Sequence, residues 1–108
     1  MSGASVSNPV YRQTLRNYFQ YLVDHFFKIL PMKEQQDSGL PIYLSSLKFE
    51  ILGFEGLFVQ TDYNASVITL LSILQSMIDD EQIDVSVVRR EVFHAISICN
   101  KLKDLYSK

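Results

Sequence analysis

An all-α fold, a compact four-helix bundle, is what this chain predicts, on three observations. Apolar residues recur at three- and four-residue spacing in four separate stretches. Prolines and turn-forming residues punctuate the gaps between those stretches. The second and third stretches carry almost no charge, so each helix must be covered on more than one side. The helices are expected at about 9–30, 41–60, 63–78 and 84–106 of the 108 residues, with 1–8 a flexible N-terminal tail and 9–108 one helical-bundle domain.

The first helix is expected to be capped by Asn8, with Pro9 at its first position and Pro31 as its stop. Leu15, Phe19, Leu22, Phe26, Ile29 and Leu30 form its core stripe, and Tyr11, Tyr18, Tyr21 and His25 share the flank. The stretch Pro31 to Leu40 reads as a polar loop that turns at Ser38-Gly39. The second helix opens near Pro41 and buries Leu44, Leu47, Ile51, Phe54 and Phe58. Its other side is not polar, because Ile42, Phe49, Leu52 and Val59 lie there with Ser45, Gly53 and Gly56. The two glycines each cost about 1 kcal/mol in helix propensity against alanine. Close approach of another helix over that small-residue surface would offset the cost; the alternative is a kink or an end near Gly53.

The third helix is entered through Asp62 or Asn64. Val67, Leu70, Leu71, Ile73, Leu74, Met77 and Ile78 make its stripe, and Thr69, Ser72 and Ser76 its uncharged back. An acidic link, Asp79-Asp80-Glu81, leads to a fourth helix that starts near Asp84. Val85, Val88, Val92, Ala95, Ile96, Cys99, Leu102 and Tyr106 form its core face. Arg90, His94, Ser97 and Lys101 form the opposite one, with Ile98 and Leu105 at the border.

A composition of 47% hydrophobic and 20% charged residues is that of an ordinary globular protein. Net charge is −2, which argues against a dedicated nucleic-acid or anionic-membrane binder. The charge is nonetheless uneven. Residues 34–84 hold nine carboxylates against Lys48, whereas both terminal helices are basic. Such opposition usually reflects attraction inside one fold, and it can also steer a contact between molecules. Cys99 is the only cysteine, so no intramolecular disulfide can form and a reducing compartment fits. The N-terminal residues carry no signal-peptide pattern, and the uncharged run between Asp62 and Asp79 is too short and polar to span a bilayer. A cytoplasmic protein without a membrane partner is the expectation.

The constellations that could carry chemistry are incomplete. Glu91 and His94 make one Glu-x-x-His pair, but a ferritin-like metal site needs that pair twice with further glutamates. A calcium loop from Asp79 would need glycine and glutamate where Asp84 and Arg90 stand. Cys99 lies on the apolar face of its helix, five residues from His94, and lacks an activating base. No phosphate-binding glycine loop occurs. The expectation is therefore no catalytic residue, no cofactor and no metal.

What remains is surplus apolar and aromatic surface, which is enriched at protein interfaces. The expected function is a small helical protein–protein interaction module: an adaptor, an inhibitor or a small subunit of a larger assembly. It is expected to form a homodimer through Tyr18, Tyr21, Phe49, Gly53 and Gly56. Arg89, Arg90, His94 and Lys101 are candidates for contact with an external partner of acidic character. The alternative is a nucleic-acid-binding component that uses basic positions of the first and fourth helices, such as Arg12, Arg16, Arg89 and Arg90. Against that alternative, four carboxylates beside the would-be recognition helix repel phosphate.

Overall fold

A computed structural model of the chain describes residues 9–54 and 64–105, which fold as an all-α four-helix bundle without strands. The helices are α1 (Pro9–Glu34), α2 (Leu40–Phe54), α3 (Asn64–Asp79) and α4 (Val85–Leu105). Around the bundle α1 packs on α4 and α2, and α3 packs on α2 and α4, while the diagonal pairs stay apart. Neighbours run antiparallel, as the short links Gln35–Gly39 and Asp80–Asp84 require. Along the α1–α4 seam, Lys103 reaches Gln20, Phe27 meets Phe93, and Arg89 pairs with Glu34, a register that only opposed helices can keep.

The interior is built from the predicted stripes. Leu15, Phe19, Leu22, Phe26 and Ile29 of α1 meet Val88, Val92, Ala95, Cys99 and Leu102 of α4, all buried. Leu44, Leu47 and Ile51 of α2 and Val67, Leu70, Leu74 and Met77 of α3 close the other half. Each large side chain so buried contributes about 1.5–3 kcal/mol. Among the described residues none of the buried side chains is polar or charged, so the core is held by desolvation and close packing alone. Leu30, Leu71, Ile78 and Ile98 sit at its margin, half-buried, and Val23 joins it. Phe58 and Tyr106, two expected core residues, lie outside the described residues, as do the cap Asp62 and the expected second-helix end at Gln60.

The first boundary differs from expectation. Pro31 does not end α1; it sits inside the helix, which runs on to Glu34. Its missing N–H leaves the Phe27 carbonyl without its helical donor, yet Phe27 and Pro31 are both exposed, so water can replace that bond. The extra turn is held by tertiary contacts that no local signal announces. The Lys33 ammonium donates to the Glu81 carbonyl at 3.2 Å, and the Glu34 carboxylate pairs with Arg89 at 2.9 Å.

The helix then closes in a Schellman arrangement. The Asp37 N–H donates to the Met32 carbonyl at 2.9 Å and the Gln36 N–H to the Lys33 carbonyl at 3.1 Å. Gln36 takes the left-handed conformation this demands, at φ 54°. Asp37 next starts α2, its carboxylate accepting the Gly39 N–H at 2.8 Å and its carbonyl the Leu40 N–H at 3.1 Å. Asp84 does the same for α4: its carboxylate accepts the N–H and the hydroxyl of Ser86. These bonds hold the Asp84 carboxyl below the usual carboxylate range.

Gln36 occupies a position where a Cβ is strained, so Gln36→Gly should stabilise the fold by up to about 1 kcal/mol, net of the glycine's greater unfolded freedom. Urea denaturation at neutral pH measures it; a loss of stability would mean that the Gln36 side chain holds the turn.

Candidate interaction surfaces

Three outward surfaces gather the residues singled out in the sequence. The first is the outer side of the α2–α3 pair. Ile42 is 74% exposed, Phe49 66%, Leu52 40% and, on α3, Ile68 48%. Helical spacing sets Ser45, Ser46 and Gly53 among the first three, and Ala65, Ser72 and Ser76 beside Ile68. The face therefore alternates protruding apolar side chains with small residues. Its polar groups are partly satisfied from within: Thr69 donates to the Ala65 carbonyl at 3.0 Å, and Ser76 to that of Ile73 at 2.8 Å. Lys48, half-buried between the helices, donates to Gln75, which in turn donates to Asp79.

Gly53 lies exposed on this face, and a Cβ placed there would meet no described atom within 4 Å. No helix of the same chain explains this glycine by close approach among the described residues. Gly56 lies outside them. Phe49 stands clear of the core, with the Lys48 ammonium 5.9 Å from its ring centre.

Tyr18 and Tyr21 are placed elsewhere, on the seam between α1 and α2. Tyr21 donates to the Glu50 carboxylate at 2.9 Å and packs on His25, ring centres 3.9 Å apart. Tyr18 stacks on Tyr21, and Tyr43 stacks on the far side of His25 while donating to the His25 carbonyl at 2.9 Å. This ladder fastens α2 to α1. Burial pushes the Tyr43 phenol up to about 12 and raises Tyr18 as well, with the Glu50 charge adding to both. Tyr21 is raised chiefly by its bond to Glu50. Of the two tyrosines expected at a self-association surface, Tyr18 is half-buried in this ladder, whereas Tyr21 fastens it and is still 38% exposed.

The outer side of α4 carries the third set. Arg90, His94 and Lys101 are exposed there and share a side, as expected. Arg89 is turned toward α1, where Glu34 neutralises it, and Arg90 lies 3.6 Å from Glu91. Arg16 directs its guanidinium to Gln13 on its own helix. Most of these cations already have partners, which leaves no continuous basic stripe for a phosphate backbone among the described residues. Beside Arg89, Phe27 and Phe93 meet edge to face, ring centres 6.0 Å apart, both nearly half exposed.

Phe27 belongs to the surplus aromatic surface that the sequence shows on the first helix, whereas Ile68 and Phe93 were not singled out. Ile68 shares a helix side with Ser72 and Ser76, a polar-looking setting that hid an apolar knob. Phe93 follows the core position Val92 by one residue, so periodicity alone left it ambiguous. Cys99 is buried in the interior, which pushes its thiol from about 9 up to about 12. Among the described residues no three His, Cys, Asp or Glu side chains come together as a metal site would need, and no helix is long and apolar enough to cross a membrane. No family model, curated protein or solved structure matches the chain.

Cys99, Tyr18 and Tyr43 all hold their protons more tightly folded than unfolded, so their contribution to stability is complete at neutral pH. It declines as pH rises from about 9, where the unfolded thiol ionises, toward about 12. Denaturation midpoints measured between pH 7.5 and 11 should fall progressively, and Cys99→Ala should remove the earliest part of that fall. A flat profile would contradict the burial of these groups.

Proposed function

We propose that this chain is a small, non-catalytic protein–protein interaction module that pairs with a second copy of itself through the outer face of α2 and α3. The observation that carries this reading is the exposure of Ile42, Phe49, Leu52 and Ile68 on adjacent helices, interleaved with glycine, serine and alanine. Isolated exposed apolar residues are ordinary, whereas a contiguous set on two neighbouring helices marks a contact site. Covering the face displaces little bound water from Thr69 and Ser76, because their hydroxyls already donate to their own helix. Phe49 and Ile42 supply knobs, and Gly53 and the serines supply the hollows that a two-fold partner's knobs need.

The footprint sets the strength. Helices of 15 and 16 residues lying side by side give a flat face on the order of 500 Å² at 1.5 Å per residue and 10–12 Å across each helix. Specific interfaces bury about 800 Å² per partner. Association through the described face is therefore reversible and concentration-dependent. The outer side of α4, with Arg90, His94 and Lys101, stays open in such a dimer and suits an external partner of acidic character. Adaptor, inhibitor and small-subunit roles all require this division of surfaces, and a cytoplasmic setting fits the single reduced thiol.

Light scattering across micromolar to millimolar concentration should give a mass rising from one chain to two. Phe49→Glu together with Ile68→Glu should hold the protein monomeric with its helical circular dichroism unchanged, because neither side chain is in the core. Gly53→Leu should weaken association by filling a hollow. A strict monomer throughout, or a dimer indifferent to all three changes, would overturn the proposal.

A further inference from the structure

The two short links lie at the same end of the bundle. A cavity of about 610 Å³ opens between the links Gln35–Gly39 and Asp80–Asp84. Its floor is the end of the hydrophobic interior: Ile29, Leu44, Met77 and Val88, each buried beneath it. Its size falls within the range of sites that hold several apolar groups. Leu40, Ile78 and Ile83 form the walls, half-buried.

The rim is predominantly acidic. Asp37 stands on one link, and Asp80, Glu81 and Asp84 on the other, with Lys33 the single basic residue of the lining. Three of these carboxylates accept a local backbone N–H, from Gly39, Gln82 and Ser86. Lys33, in the last turn of α1, donates to the Glu81 carbonyl at 3.2 Å and adds to the lowering of the Asp84 carboxyl, so it offsets part of the rim's negative charge. The opening thus sets an apolar floor between negative charge on two opposite sides.

We infer that this cavity is a docking site for a short segment of a partner protein in which an apolar side chain is flanked on both sides by lysine or arginine. The apolar anchor covers Leu40, Ile78 and Ile83, the half-buried walls, and the flanking cations meet Asp37 on one link and Asp80, Glu81 and Asp84 on the other. Carboxylates on both flanks favour a peptide over a small amine, whose single cation engages one link only. The inference names partner chemistry for the interaction module proposed above and rests on that reading, yet the cavity lies at the link end and not on the outer α2–α3 face.

The test is a methyl-resolved NMR titration of the full chain with a capped Lys-Leu-Phe-Arg peptide. Methyl resonances of Met77, Ile78 and Ile83 should move saturably, and the shifts should weaken as salt is raised. Asp80→Asn with Glu81→Gln keeps an acceptor for the Gln82 N–H while removing two charges, and should weaken binding at least about fivefold. Octylammonium should bind more weakly than the peptide. Equal shifts with Glu-Leu-Phe-Glu, tighter binding of octylammonium, or movement at Ile42 and Ile68 instead would each overturn the assignment. Light scattering of the same samples separates the two proposals: a monomer that binds the peptide sinks self-association alone, and a dimer without cavity shifts sinks the docking site alone.

Discussion

The long antiparallel contact between α1 and α4 is the constraint on which the molecule depends. From Leu15 to Ile29 on one helix and Val88 to Leu102 on the other, it forms a continuous apolar column without a buried polar side chain. Desolvation must offset the conformational entropy of ordering four helices, and this seam is the most extensive of the helix pairings among the described residues. The shorter α2 and α3 complete the enclosure by laying Leu44, Leu47, Ile51, Val67, Leu70 and Leu74 over the remaining side. Once those residues face inward, the helical period sends Ile42, Phe49 and Ile68 outward. Apolar surface on the outer face of the short pair is thus a geometric result of using helices with too few polar positions.

Polar interactions act at the seams and ends instead of inside. Tyr21 with Glu50 and Tyr43 with the His25 carbonyl set how α2 leans on α1. Glu34 with Arg89 and Lys33 with Glu81 fasten the last turn of α1 to the start of α4 and to the link before it. Bonds of this kind on exposed or half-exposed groups add little stability, about 1 kcal/mol or less each, and mainly choose among packings that the core would tolerate. The carboxylates gathered at the link end have a comparable double character. Asp37, Asp80 and Asp84 shape turns and helix starts, and the charge left over gives that end of the bundle its sign.

Legibility followed the range of the responsible interaction. The core positions of α4 were readable because Val88, Val92, Ala95, Cys99 and Leu102 repeat at helical spacing, and nothing distant was needed to interpret them. Asp84 was readable as a helix start because capping is local. Pro31 was misleading: its usual effect is to end a helix, but the lost bond faces solvent and Glu34 and Lys33 find partners more than forty residues away. Gln36 in a left-handed turn was equally hidden, since the rule there favours glycine. Among the candidate surface residues, Phe49 and Gly53 do share the outer face of α2. Tyr18 and Tyr21 stand on a different side, at the α1–α2 seam, because the sequence does not show which aromatic flank meets another helix of the chain.

Amino-acid order alone determined that four helices form, which stripe of each turns inward, and that the chain turns at Ser38-Gly39 and between Asp79 and Asp84. These depend on the 3.6-residue period and on groups a few residues apart. Only the tertiary structure decided which helix neighbours which, that Tyr21 meets Glu50 within the molecule, that Gly53 faces open space, and that the core ends in a cavity ringed by acid. Those outcomes depend on how four stripes of unequal length share one interior, a problem of three-dimensional filling that no window along the chain contains.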